Sequence, residues 1–205
     1  MKQMLNDFKQ GKITLEEVLD KLKTLPYEDL GFAKIDTHRT IRTGYPEVIY
    51  SKGKTTTQIL KILKAMSNHN QNILATKADK ETYNAIKNQY PDAEYNEPAK
   101  TIVIKKQTLK PKKGKILIIT AGTSDIPIAE EARVTAELMG NKTEKLYDIG
   151  VAGIHRLLDN KEKIFTATVI IVIAGMDGAL PSVIGGLARA PVIAVPTSVG
   201  YGASF

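Results

Sequence analysis

Four short strand-like runs, three of them apolar, dominate the second half of the chain. They are ILIIT at 116–120, TEKLY at 143–147, VIIVIA at 169–174 and PVIAV at 191–195. All are strand-length, and three are rich in β-branched residues. Helix-like stretches separate them at 127–139, at 153–159 and after Leu180 and Pro181. Strands that alternate with helices are joined by right-handed crossovers, so the pattern predicts a parallel, doubly wound sheet. In such a sheet ligands bind where the carboxyl ends of the strands give way to loops. Two of those loops, 175–178 and 196–202, hold a single acid, Asp177.

The first half also alternates. Thr14 and Glu17 form a capping-box pair ahead of an amphipathic run carrying Leu15, Val18, Leu19 and Leu22, and Pro26 closes it. Strands are expected at 32–36, 47–50, 72–76, 93–95 and 101–104, with helices at 55–66 and 79–89. A basic, proline-bearing segment, KKQTLKPKKGK at 105–115, reads as a solvated linker. The expected division is a small α/β domain over 1–110 and the doubly wound domain over 111–205.

Charge follows the same division. Residues 1–115 hold 22 of the 29 Lys and Arg but 13 of the 22 Asp and Glu, so the net +7 belongs to the front half. These lysines are scattered singly, with few aromatic residues between them, which argues against nucleic acid and for a solvated face or an anionic small molecule. No apolar run approaches the length of a membrane span, and MKQMLNDFKQGK lacks a signal-peptide core. A cytoplasmic protein with no membrane partner is expected. Zero cysteines exclude disulfides, thiolate metal sites and thiol nucleophiles from these 205 residues.

Several short motifs could carry chemistry. Gly122, Thr123, Ser124 and Asp125 join a strand to a helix, where small residues and a helix N-terminus favour a phosphate; plain helix capping is the other reading. His155 and Arg156 follow the next strand and could act as acid, base or anion ligand, or stand exposed on a helix. Asp177 lies among Gly175, Met176, Gly178, Ala179, Leu180 and Pro181; apolar neighbours would raise its pKa toward that of a general base, and its alternative role is a helix cap. Thr197, Ser198, Gly200 and Tyr201 supply hydroxyls and pliant backbone opposite it. In the front half Arg39 and Arg42 suit phosphates or carboxylates, or a connecting helix. Three histidines without ligand spacing predict no metal site.

In order, AGTSD, VAGIHR and AGMDGALPSVIGGLARAPVIAVP resemble the phosphoribosylaminoimidazole carboxylase superfold. With Asp36-Thr37-His38-Arg39, Gly44-Tyr45-Pro46-Glu47-Val48 and VPTSVGYGASF, nearly the whole chain is similar to the LarB family of nickel-pincer cofactor biosynthesis, the pyridinium-3,5-biscarboxylic acid mononucleotide synthases. The resemblance implies carboxylation of the pyridinium ring of nicotinic acid adenine dinucleotide with CO2 or bicarbonate, then hydrolysis of the phosphoanhydride to release AMP. It implies that Asp177 removes the ring proton, that the 122–125 loop holds ribose and phosphate, and that Arg39, Arg42 or Arg156 binds anionic groups. No covalent cofactor is expected; a magnesium ion could accompany the diphosphate. The superfold forms multimers, so a homo-oligomer is expected.

The same resemblance places a nucleophilic cysteine downstream of VGYGASF. The chain is therefore expected to be short of that cysteine, of a last strand and of a glycine-rich loop, and to lack synthase activity alone. An aminoimidazole ribonucleotide carboxylase or mutase, and a dinucleotide-binding module without catalysis, stand as the alternatives.

Overall fold

The computed structural model describes residues 2–22, 27–69 and 71–198. The front half begins with two helices, α1 (Lys2–Lys9) and α2 (Leu15–Leu22), and a two-residue pair, β1 (Glu28–Asp29) with β2 (Lys34–Ile35). The capping box at α2 forms as its sequence requires: Thr14 N–H donates to Glu17 Oε2 at 2.7 Å, and Glu17 N–H returns to Thr14 Oγ1 at 3.2 Å. Next come α3 (Arg39–Thr43), β3 (Val48–Tyr50), α4 (Thr56–Ser67), β4 (Ile73–Thr76), α5 (Lys80–Gln89), β5 (Glu94–Asn96) and β6 (Thr101–Ile104). The sheet order is β3-β4-β6-β5, parallel at β3/β4 and antiparallel elsewhere. Ile59, Leu63 and Met66 of α4 and Ile86 of α5 pack on Ile73, Ile102 and Ile104.

The basic segment between β6 and β7 forms no helix or strand. After it come β7 (Lys115–Thr120), α6 (Ile126–Leu138), β8 (Lys142–Leu146), α7 (Ile154–Leu158), α8 (Lys161–Thr166), β9 (Val169–Ala174), α9 (Ala179–Leu187) and β10 (Val192–Pro196). The order is β10-β9-β7-β8, with every pair parallel. Helices cover both faces, which is why β7 reads as continuous apolar sequence rather than an alternating one. Leu117 and Ile119 face the cluster built with Leu157, Ile164, Leu180 and Ile184, whereas Ile118 faces Ala129 of α6. All three β7 residues are fully buried. This is the doubly wound α/β sheet the strand–helix alternation predicts.

The differences are local. α1, α8 and β1 are not visible in the periodicity, because two-residue strands and one- to two-turn helices give too few positions to establish a period. β10 runs from Val192 to Pro196, one residue later than expected. None of the described helices is long and apolar enough to cross a membrane.

Candidate active site

The carboxyl ends of β7, β8 and β9 open on a cavity of about 220 Å³. Each strand hands over to its loop through one further ladder bond. Ala121 N–H reaches Ile173 O at 3.0 Å, Gly150 N–H reaches Ala121 O at 2.8 Å, and Thr197 N–H reaches Ala174 O at 3.0 Å. The cavity's floor is therefore as fixed as the sheet. Small residues make that closeness possible: a Cβ on Gly150 would lie 2.9 Å from the Ala121 carbonyl oxygen, a distance real side chains do not reach.

Asp125 locks the loops together. It is buried, its Oδ2 accepts Gly122 N–H at 3.0 Å, and its Oδ1 accepts the Thr197 hydroxyl at 2.8 Å. One carboxylate thus ties the turn after β7 to the loop after β10. Both of its oxygens are engaged within the protein, and the Gly122 amide is spent on it. The exposed Ser124 hydroxyl on the cavity wall is the donor this turn offers a ligand. The turn leads directly into α6, whose N-terminal end favours negative charge.

Arg156 lines the cavity from α7, and its side chain lies over Gly153. Its Nη1 donates to Asp148 Oδ2 at 2.9 Å in a pair that stays accessible to solvent. Exposed pairs are held weakly, so the guanidinium can exchange Asp148 for an anionic ligand at little cost. Asp148 and Met176 both hold positive φ, at 59° and 55°, beside the ends of β8 and β9. Side-chain-bearing residues adopt that conformation reluctantly, and such strain gathers at functional sites.

Asp177 lines the cavity but is exposed, which corrects the expectation of an apolar enclosure. Met176, Ala179 and Leu180 line the same cavity, yet they do not enclose the carboxylate, which stays exposed. Its Oδ1 accepts Ala179 N–H at 3.3 Å, a contact of the capping kind at the start of α9, behind Gly178 at φ 65°.

Ser124, Asp125, Arg156, Gly175, Met176, Asp177, Ala179 and Leu180 thus meet at one cavity, together with Gly122. Thr123, His155, Gly178 and Pro181 are on the same loops and helices but do not line it. His155 is exposed. Thr197 acts from behind, through Asp125, and Ser198 is exposed beyond it. Gly200 and Tyr201 lie outside the described residues. Arg39 and Arg42 are on α3 of the front half and do not line this cavity. Arg42 is paired with Asp36 and holds that carboxyl below its usual pKa. Ala121, Gly150, Val151, Ala152 and Ala174 complete the lining, and sequence reasoning did not select them. For Ala121 and Ala174 the available signal was their place at the end of an apolar run.

Two larger clefts, about 360 and 350 Å³, border α6 on the side of the front sheet, away from the strand ends. They adjoin a polar junction. Buried Glu130 of α6 accepts from Arg133 at 2.7 Å, Tyr147 Oη at 2.9 Å, Lys145 at 3.2 Å and Asn96 of the front sheet at 3.2 Å. These donors outweigh the desolvation that opposes them and hold its carboxyl at about 2, while burial and Glu130 push the Tyr147 phenol well up. Among the described residues no group of three His, Cys, Asp or Glu is placed to hold a metal ion.

Both halves match known families. Residues 27–107 match the LarB/PurE-like N-terminal domain, and residues 115–203 match AIR carboxylase. The chain is also 44% identical over 213 residues to a protein of Methanocaldococcus jannaschii described as "Uncharacterized protein MJ0165", spanning 98% of this chain and 82% of that one. A carboxylase-type fold with a cavity at its strand ends, preceded by that N-terminal domain, places this chain in the LarB/PurE-like family of carboxylase-type enzymes.

Proposed function

We propose that this chain acts on nicotinic acid adenine dinucleotide, carboxylating its pyridinium ring with CO2 and cleaving its phosphoanhydride to give pyridinium-3,5-biscarboxylic acid mononucleotide and AMP. The observation that carries the reading is that Ser124, Arg156 and Asp177 line one cavity at the strand ends of an AIR carboxylase domain. The substrate is an anion at its ring carboxylate and its diphosphate. Arg156 offers a fork for one of these groups, and Ser124 with the start of α6 suits the other. The small walls at Ala121, Gly150 and Ala174 leave room for CO2.

A pyridinium carbon is electron-poor and does not attack CO2. A nucleophile adds to the ring and turns it into an enamine; the enamine carbon then bonds to CO2. Asp177 takes the proton from that carbon, and the returning electrons expel the nucleophile and restore the aromatic ring. Asp177 suits this step because its carboxylate stands at the cavity, open to solvent that can carry the proton away. A magnesium ion accompanying the diphosphate would find two cavity carboxylates, Asp177 and the internally bonded Asp125, and no step depends on it. The 205 residues hold no thiol for the addition step. Binding, CO2 enclosure and proton removal are the roles assigned to them.

The test is to mix the chain with the dinucleotide and bicarbonate and follow binding, AMP and product mass. Saturable binding that weakens about tenfold in Arg156→Ala is the expected result, with no AMP released. Absence of binding would sink the reading. CO2-dependent AMP release would show that a group other than a thiol performs the addition.

A second reading has one specific observation behind it. An aminoimidazole ribonucleotide is already a carbon nucleophile, so the AIR carboxylase domain could carboxylate or isomerise it without any thiol. Turnover of that substrate would favour it, and binding of the dinucleotide alone, with turnover of neither, would favour a binding module. Self-association belongs to the principal proposal: Gly185 and Gly186 of α9 are exposed, and so is Ile193 of the edge strand β10, small and apolar positions open to close packing. Light scattering would test it.

A further inference from the structure

The front-half motif from Asp36 to Glu47 is not part of the strand-end cavity, yet it is folded around a cavity of its own. That cavity, about 230 Å³, lies where the front sheet, the basic connector and the end of α6 meet. α6 separates it from the strand-end cavity: one lies by its first turn and the other by Leu138 and Met139. A helix of 13 residues sets them about 20 Å apart, so the two cavities are distinct.

The walls are built, not incidental. Asn72 is buried, and its Oδ1 accepts the amides of Lys106 at 2.8 Å and Gln107 at 3.0 Å, which pins the start of the connector to the front sheet. Lys112 N–H donates to Gly140 O at 2.9 Å, which pins its far end to the turn after α6. Gly140 has φ 84°, which side-chain-bearing residues adopt with strain, and a Cβ there would sit tightly against both Leu109 Cβ and Lys110 O at 3.3 Å, so glycine suits the close approach of the connector. Lys112 crosses back to the motif, with its Nζ 4.4 Å from the Tyr45 ring centroid and hydrogen-bonded to the Tyr45 hydroxyl.

The lining defines a chemistry. Tyr45, Pro46, Leu109, Leu138 and Met139 give mostly apolar walls. Gln71 and Gln107 add amides able to donate or accept. Thr40 also belongs to the lining, although its hydroxyl oxygen is itself buried. Lys110 and Lys112 are the charged groups of the lining, and it contains no carboxylate. A planar body with hydrogen-bonding edges and an anionic group satisfies all of these together. We infer that this junction cavity binds a mononucleotide, with its base against the apolar and amide wall and its phosphate toward Lys110 and Lys112.

The inference does not depend on the proposed carboxylation. It is tested by titrating the full chain with AMP, using calorimetry and the amide and tyrosine resonances around Tyr45. Saturable binding is expected. It should weaken about tenfold when Lys110→Ala and Lys112→Ala are combined, since two charge-assisted contacts go. It should vanish in Leu109→Trp, which fills the cavity, with the circular dichroism of both variants confirming the fold. Arg156→Ala, in the other cavity, should leave it unchanged. Binding that survives both junction variants, or that falls in Arg156→Ala, overturns the inference. So does inorganic phosphate competing as strongly as AMP, which would mean a simple anion site, or adenosine binding as tightly as AMP, which would remove the lysines from recognition.

Discussion

Two buried carboxylates stand at opposite sides of the start of α6, and their partners differ in kind. Asp125, just ahead of the helix, is satisfied by neutral donors, an amide and a hydroxyl, and it ties loops over the strand-end cavity. Glu130, inside the helix, is satisfied by Arg133, Lys145, Tyr147 and Asn96, and it ties the two sheets at their junction. The contrast separates two uses of a buried acid. At the junction, strong charged donors secure a structure. Beside the cavity, weaker neutral ones shape the loops and leave Arg156 and Asp177 accessible for a ligand.

The junction is where the comparison breaks most visibly. Glu130→Ala removes the shared acceptor of Arg133, Lys145, Tyr147 and Asn96 and leaves the largely buried Arg133 guanidinium to Glu137. Loss of one member of such a buried pair costs about 3 kcal/mol, readable by urea unfolding. A loss below about 1 kcal/mol would mean the network gains nothing over its desolvation. Acid should reproduce that loss. Because Glu130 titrates at about 2 in the folded chain against an ordinary 4.5, its contribution is present above the ordinary value. It is lost as pH falls through the folded one. Glu130→Gln should flatten that part of the stability profile.

Asp125→Ala should cost less, about 2 kcal/mol, since it leaves one buried amide and one hydroxyl unpaired but no charge. It should weaken dinucleotide binding as well, by releasing the loop after β10, whereas Glu130→Gln should spare that binding. Asp177→Asn stands last in stability, within about 0.5 kcal/mol, because its side chain is exposed. In a form of the enzyme that turns over it should abolish carboxylation and leave binding intact; an unchanged rate would remove Asp177 from the mechanism.

The long elements were legible because their residues obey one period each. The capping pair at Thr14 with Glu17 and the amphipathic run at 55–66 mark helices that the structure bears out. The continuous apolar runs at 116–120 and 169–174 announce strands buried on both faces. The order of the motifs also gave the family, which the matches to both halves support. What could not be read was convergence. Glu130 draws its donors from β5, α6, β8 and the residue after β8, positions that no spacing rule connects. The exposure of Asp177 was hidden for a related reason: Met176 and Leu180 are equally apolar in sequence, but one is exposed and the other buried. Arg39 and Arg42 illustrate the limit of residue type, since Arg42 is already answered by Asp36.

The order of the strands has a consequence for how the chain reaches this structure. β5 and β6 are joined by a tight turn between Asn96 and Thr101, so the front sheet can begin from a contact between near neighbours. β7 has no such neighbour: it pairs with β8 across the whole of α6 and with β9 across α7 and α8 as well. Pairing across long intervening stretches is slow, because closure entropy is lost before any contact repays it. During synthesis the front sheet also emerges first. Refolding should therefore show protection of the β5 and β6 amides ahead of those of β7 and β9, with the strand-end cavity among the last features to form.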